Sequence, residues 1–284
     1  MRKRRIVPVS LLREKLLEAV GKIYCQPDAE VIRLIAEAAH RESNPLARDM
    51  LQSIVDNARY AIEDGTPCCQ DTGSAVLFIE MGEDASFDEG NVTELICATL
   101  EEAWERYYLR RSIVEEPLIS RRVLQNRVVP IIHWKLVPGD SVEVIVGLKG
   151  GGAENMSVQK MMPATATIDK VKEYIVEEVA KTGGRPCPPV IVGVGIGGNF
   201  EESALLAKRA LFDPLGRKHP DKDYAALEND ILTLINTRGR GVMGMGEGPT
   251  ALAVHIRTKS CHIASLPLAI NLDCHAHRHT RFVL

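Results

Sequence analysis

The sequence predicts a mixed α/β fold, sheets flanked by helices, with a helical N-terminal segment over residues 1–64. Three observations predict it. The first 64 residues carry apolar positions at helical spacing and no strand-like run. Beyond them, short apolar runs at 75–79, 142–148 and 190–194 alternate with helical stretches, the pattern of helices laid on sheets. No stretch of linker composition divides the chain, so 1–284 reads as one intertwined domain that includes the helical segment. At 284 residues, 45% hydrophobic, the chain can bury a substantial core.

In chain order, Ser10 is placed to cap a helix through Ile23, with Leu11, Leu12, Leu16, Leu17 and Val20 at helical spacing. A second helix covers about 28–40. Asn44 caps the third, Pro45 takes its first position, where no N–H is needed, and Gly65 follows its end. Residues 65–73 form a loop by composition and lead into the strand-like run 75–79. Asn91 then caps a helix through Arg110. The runs 128–137 and 142–148 are joined by Pro138-Gly139-Asp140, turn chemistry that predicts a hairpin. A helix over about 167–181 is closed by Gly183-Gly184, and a strand at 190–194 precedes a helix over 201–211. A polar loop (214–223) and a helix (224–237) come next. Glycines at 239, 241, 244, 246 and 248 predict a long flexible segment, and strands at 251–257 and 266–272 flank His262 and lead to Cys274.

Composition excludes several classes. Lys and Arg total 35 against 38 Asp and Glu, a net charge of −3, with no basic block beyond Arg2 to Arg5, which reads as a solvated start. Nucleic acid is not an expected partner. No apolar run reaches the ~18 residues of a membrane span. The apolar stretch after the basic start is broken by Arg13 and Lys15, so it is not a signal peptide, and a cytoplasmic location is expected. Seven cysteines, an odd number, are then reduced thiols or metal ligands rather than disulfides.

Three of these cysteines stand apart. Cys69, Cys187 and Cys274 each lie in a Gly-, Pro- or polar-rich loop next to an apolar run, where a fold can bring distant residues together. Cys25 and Cys97 fall inside helical patterns and read as buried hydrophobes. Cys68, just before Cys69, and Cys261, just before His262, read as neighbours rather than ligands. No Cys-x-x-Cys pair is present, so a structural zinc site of the usual spacing is not expected. An iron–sulfur cluster needs thiolates but no fixed spacing if the fold supplies convergence. Asp71 either serves the site or only caps its turn, and Gly150-Gly151-Gly152 would let backbone N–H groups approach an anion. Arg110 is either a carboxylate fork or a solvated helix-end cation, with Arg111 one position away. His275, His277 and His279 read as an exposed tail. Gly193 to Gly198 spells a formal G-x-G-x-x-G between strand and helix, a dinucleotide-binding module in the rival reading. The second strand and acidic residue this would require ~20 residues on are replaced by the polar loop 214–223, which favours tight strand–helix packing instead.

Four motifs, Cys-Gln-Asp-Thr-Gly (69–73), Lys-Gly-Gly-Gly-Ala-Glu-Asn (149–155), Cys-Pro-Pro with Val-Gly-Val-Gly-Ile-Gly-Gly (187–198) and Asn-Leu-Asp-Cys-His-Ala-His-Arg (271–278), occur in family order. Together they resemble the class I iron–sulfur fumarate hydratase and tartrate dehydratase family, specifically its α, cluster-binding subunit. The resemblance implies a [4Fe–4S] cluster held by Cys69, Cys187 and Cys274, with one iron free to act as a Lewis acid on a small dicarboxylate. It implies substrate contacts from Gln70, Asp71, Arg110 and Gly152, and catalytic roles for Asp71 and His262. It also implies a β subunit that carries the base, and an α2β2 heterotetramer. Ala-Glu-Asn-Met after the glycines and Gly197-Gly198-Asn-Phe-Glu look more like fumarate hydratase chains. They imply reversible dehydration of (S)-malate, a citric acid cycle step, with tartrate dehydratase or a related 2-hydroxy-acid dehydratase as the alternative. One motif departs: the family's Asn-Thr-Gly before the hairpin is absent, and 122–127 reads Arg-Val-Leu-Gln-Asn-Arg. An altered substrate preference or a weakened activity is the expected consequence.

Overall fold

A computed structural model describes residues 4–284; the first residues of the basic start lie outside the described residues. Its elements run β1 (Arg5–Val7), α1 (Val9–Ile23), α2 (Ala29–Arg41), α3 (Pro45–Asp64), β2 (Ser74–Gly82), β3 (Ala85–Phe87), α4 (Val92–Arg106), β4 (Ile131–Val137) and β5 (Val142–Lys149). Then follow α5 (Gly151–Glu154), β6 (Val158–Met162), α6 (Ile168–Lys181), β7 (Val190–Gly197), α7 (Phe200–Ala210), α8 (Lys222–Arg238), β8 (Ala251–Lys259), β9 (Leu266–Asp273) and β10 (Arg278–Val283). The mixed α/β class is as expected. Contacts group the chain into two compact units. One comprises the chain up to Asp28, Ala58–Gly151 and Arg278–Leu284; the other comprises Ala29–Asn57 and Gly152–His277.

The first unit is built on a sheet of order β10-β5-β2-β4, with a short parallel pair β1-β3. The period-2 residues Ala75, Leu77 and Ile79 of β2 and Val142, Val144, Val146 and Leu148 of β5 share one core with Leu12, Leu16 and Val20 of α1 and Ile96, Leu100 and Trp104 of α4. The hairpin does not form. β2 lies between the two strands, parallel to β4 and antiparallel to β5. The Pro138-Gly139-Asp140 turn instead wraps the end of β2, where Gly82 N–H donates to Ser141 O at 2.8 Å and Glu83 N–H to Val137 O at 2.9 Å. Local turn chemistry cannot say whether a third strand occupies the gap it spans.

Two helix boundaries also differ. Ser10 does not cap α1, whose cap residue is Pro8. Asn91 does cap α4, accepting from Glu94 N–H, but the helix ends at Arg106. Tyr107 stacks on Tyr24 with ring centroids 4.5 Å apart, and Tyr108 adopts φ +52°, which turns the chain out of the helix. Arg110 therefore lies beyond the helix. The expected exposed tail is a correction as well. Residues 278–283 form β10, an edge strand on β5, with Arg278 and His277 buried.

The second unit holds the sheet β6-β9-β7-β8. Val190, Val192 and Val194 of β7 pack with Ile175, Val176 and Val179 of α6 and Ile231 and Ile235 of α8. The opposite face of β7 takes α7 at close range. A Cβ on Gly193 would stand 2.2 Å from Ala207 O, and one on Gly195 2.0 Å from Ser203 O. The glycines of the G-x-G-x-x-G thus serve helix–strand approach, the packing reading, and α7 occupies that face. Ile191 joins Val31, Ile35 and Leu51 of α2 and α3 in a separate core. The glycine-rich 239–248 segment is folded into consecutive tight turns rather than an open loop, with Val242 N–H on Glu247 O and Met243 N–H on Pro188 O. No helix among the described residues is long and apolar enough to cross a membrane.

One core histidine carries a prediction. His255 on β8 is buried, its Nε2 has no hydrogen-bond partner among the described residues, and burial holds its pKa down at about 4. Between pH 6.5 and about 4 the unfolded chain binds a proton that the folded chain refuses, so stability rises with pH across that window. Acidification from pH 7 to 5 is expected to remove on the order of 2 kcal/mol through this residue. Denaturant melts of wild type and His255→Leu at both pH values check it. An equal acid penalty in the two proteins contradicts the account.

Candidate functional site

In the first unit the Cys69-Gln70-Asp71-Thr72-Gly73 loop joins α3 to β2. Cys69 is half-buried and Gln70 exposed, their side chains 3.7 Å apart (Sγ to Oε1). Asp71 does more than cap its own turn. Its Oδ2 accepts from Gly151 N–H at 2.8 Å, tying the cysteine loop to the triple-glycine turn. Gly73, at φ +72°, permits this approach, because a Cβ there would lie 1.9 Å from Lys149 O. Thr72 is buried, and its Oγ1 accepts from Arg110 N–H at 3.0 Å. The backbone of Arg110 is thus fixed beside the loop, with the residue itself exposed. Arg111 is committed elsewhere, in an ion pair with Glu101. Beside Cys69, burial pushes the Cys68 thiol up to about 11, the environment of a buried hydrophobe and not of a thiolate.

In the second unit β7 and β9 bring two expected ligands together. They are antiparallel with Ile191 opposite Asp273, so Cys187, just before β7, and Cys274, just after β9, sit at the same end of the pair. His275 fastens them: its backbone N–H donates to Cys187 O at 3.3 Å, and its Nδ1 lies 2.9 Å from the same oxygen. Burial lowers the pKa of His275. Asp273 holds the other side, its Oδ1 accepting from Cys274 N–H at 3.1 Å and its Oδ2 bonding His277 Nδ1 at 2.7 Å. Cys187 adopts φ +54°, sparsely populated for a residue with a side chain, and is braced by Gly184 O on its N–H at 3.0 Å. Gly152 is exposed, and a Cβ there would meet Arg185 O at 3.4 Å.

His262 is not brought to this end. It lies exposed in the turn between β8 and β9, its Nδ1 accepting from Ala264 N–H at 3.2 Å. The eight residues of β9 separate it from Cys274 by on the order of 25 Å. Its nearness in sequence to Cys274 does not become nearness in this unit, because the intervening residues form one extended strand. Cys261 is exposed beside it. Arg278 was missed as a site residue. It is buried, and its Nη2 donates to Asp71 O at 2.7 Å and Thr72 O at 3.4 Å. Its place in the 271–278 motif was the available signal.

Among the described residues no three His, Cys, Asp or Glu side chains converge closely enough to hold one metal ion. A cluster makes a different demand, since its thiolates bind separate irons. The donor set fits that demand: Cys69, Cys187 and Cys274 are half-buried thiols on loops, none in a disulfide, and thiolates are the soft ligands iron–sulfur clusters take.

The fumarate hydratase (Fumerase) family model matches residues 13–283. The "Putative L(+)-tartrate dehydratase subunit alpha" of Methanocaldococcus jannaschii is 36% identical over 277 residues, covering 96% of this chain and 94% of that protein. The L(+)-tartrate dehydratase subunit alpha of Escherichia coli K12 is 26% identical over 272 residues, 95% and 89% of the two chains. The mixed α/β fold and these matches define a hydro-lyase. The chain belongs to the fumarate hydratase (Fumerase) family. The preference for fumarate over tartrate gains nothing from these relatives, both of which carry the tartrate name; the alternative is the better supported.

Proposed function

We propose that this chain is the α subunit of a two-subunit [4Fe–4S] hydro-lyase that dehydrates a 2-hydroxy dicarboxylic acid, with L(+)-tartrate ahead of (S)-malate as substrate. The observation that carries the reading is the pairing of Cys187 and Cys274 at one end of β7 and β9, fastened through His275. The relatives' names support both the subunit and the substrate. Cys69, Cys187 and Cys274 would hold the cluster, which when bound supplies a Lewis acid for a departing hydroxyl.

The chain's own residues supply the rest. Arg110, exposed beside the cysteine loop, offers a planar fork for one substrate carboxylate. Gln70 is an exposed amide on the same loop, free to donate to substrate oxygen. Asp71, oriented by Gly151 N–H, keeps its second carboxylate oxygen for the substrate hydroxyl and is the proton-handling group of this chain. Gly152, without a side chain, leaves its backbone N–H open to an anion. At the far end of β9 from Cys274, His262 receives no role in this unit. A base for the carbon-bound proton belongs to a β subunit, and the assembly is α2β2.

The test is anaerobic reconstitution of this chain with its β subunit, assayed on L(+)-tartrate, (S)-malate, fumarate and a panel of 2-hydroxy acids. Turnover is expected with tartrate foremost and only in the mixture. Full activity of the reconstituted chain alone would refute the two-subunit reading, and malate or fumarate as the sole substrate would refute the tartrate one. Arg110→Lys keeps the charge but loses the fork, so kcat/KM is expected to fall tenfold or more, from the ~1.5–3 kcal/mol of charge-assisted hydrogen bonds. Unchanged kinetics in Arg110→Ala would remove it from the site.

A further inference from the structure

Arg278 opens β10 opposite Leu148 of β5 and is 3% exposed. A guanidinium cannot shed its proton, so burial leaves it charged, and a buried charge needs compensation. Here the recorded compensation is partial. Nη2 donates to the backbone oxygens of Asp71 and Thr72, while the buried Nε has no hydrogen-bond partner, and no carboxylate pairs with the group among the described residues. The two carbonyls belong to consecutive residues of the loop that begins at Cys69. Arg278 thus grips that loop from a position 207 residues away along the chain. The same loop is held from its other sides by Gly151 on Asp71 and by Thr72 on Arg110. Those contacts are between neutral groups or involve a carboxylate. Among these contacts Arg278 brings the cation, and no carboxylate of the described residues pairs with it.

We propose that Arg278 is the positioning residue of the Cys69 loop, fixing its backbone for ligation and supplying a permanent positive charge to a segment that carries an anionic group. The second half rests on the proposed function, in which Cys69 binds a thiolate-held cluster of net negative charge. The first half does not, since the contacts are within the protein. Motif 271–278 then has two jobs: Cys274 as a ligand, and Arg278 as the brace for the ligand furthest from it in sequence. Both bonds leave one nitrogen, Nη2, and arginine suits this post because its planar group is rigid and weakly hydrated, whereas a lysine ammonium is a strongly hydrated point charge on a flexible stem.

The test uses Arg278→Met and Arg278→Lys in the full chain, first without cluster and then reconstituted with the β subunit. In the cluster-free protein, hydrogen exchange at the amides of 69–73 and of Gly151 is expected to quicken at least tenfold in Arg278→Met and less in Arg278→Lys. In the reconstituted complex, chelators should strip iron from Arg278→Met several-fold faster. Its cluster reduction potential should fall, since losing a nearby cation disfavours adding an electron, while Arg278→Lys stays near wild type. Exchange and iron release unchanged in Arg278→Met would overturn the proposal. If that variant does not fold, Arg278→Lys decides, and wild-type exchange there overturns it. A wild-type complex that binds no cluster would refute the proposed function instead, leaving the exchange measurement to decide the brace.

Discussion

Serine in place of Cys69, Cys187 or Cys274 is expected to abolish cluster absorbance and turnover after anaerobic reconstitution, while serine at the other four cysteines leaves both near wild type. The exchange of sulfur for oxygen is nearly isosteric, but a hydroxyl is a hard donor that does not ionise at neutral pH, and iron–sulfur clusters take thiolates. The other four are separated from the three by their surroundings. Cys25 packs against the first unit's core and its thiol is pushed up by burial. Cys97 lies in α4, and Cys68 is buried with its backbone N–H on Tyr24 O. Cys261 is exposed at the β8–β9 turn, its Sγ 3.3 Å from Ser265 O. Iron and sulfide content with the visible spectrum reads the outcome. Loss of the cluster in Cys68→Ser or Cys261→Ser, with retention in any of the three, would reassign the ligands.

What could be read from sequence divides along a physical line. Two helix starts were legible because a cap is a local device: Asn91 accepts the N–H three residues on, and Asn44 does the same for Ala47. The strands of the two cores were legible from their apolar runs. Strand order was not, because a turn such as Pro138-Gly139-Asp140 reports only on its own backbone, and β2 entering the gap is a long-range event. β6 and β10 were invisible for another reason. Both are edge strands with Gln, Lys, Arg and Thr among their residues, so neither carries the apolar run that marks a central strand. At the candidate site, the loop cysteines stood out individually by composition. The pairing of Cys187 with Cys274 is a consequence of β-sheet register, and the reach of Arg278 to Asp71 has no local trace at all.

Gly73→Ala is expected to cost on the order of 3 kcal/mol or more. Two penalties add. At φ +72° a residue with a Cβ is disfavoured by roughly 1–2 kcal/mol. The added carbon would also stand 1.9 Å from Lys149 O, 2.4 Å from Lys149 C and 2.8 Å from Gly150 Cα, all main-chain atoms that cannot rotate away. Relief requires the cysteine loop and the glycine turn to part, which breaks the Asp71–Gly151 hydrogen bond at 2.8 Å and loses the orientation of Asp71. Activity should therefore fall by more than the folded fraction does. Gly90 supplies the control: its φ is +69°, but a Cβ there meets nothing within 4 Å, so Gly90→Ala carries the conformational penalty alone, about 1–2 kcal/mol. Denaturant melts of the two variants separate the contributions. If Gly73→Ala is no less stable than Gly90→Ala, the two backbones have room between them, and close approach is not what the glycine at position 73 provides.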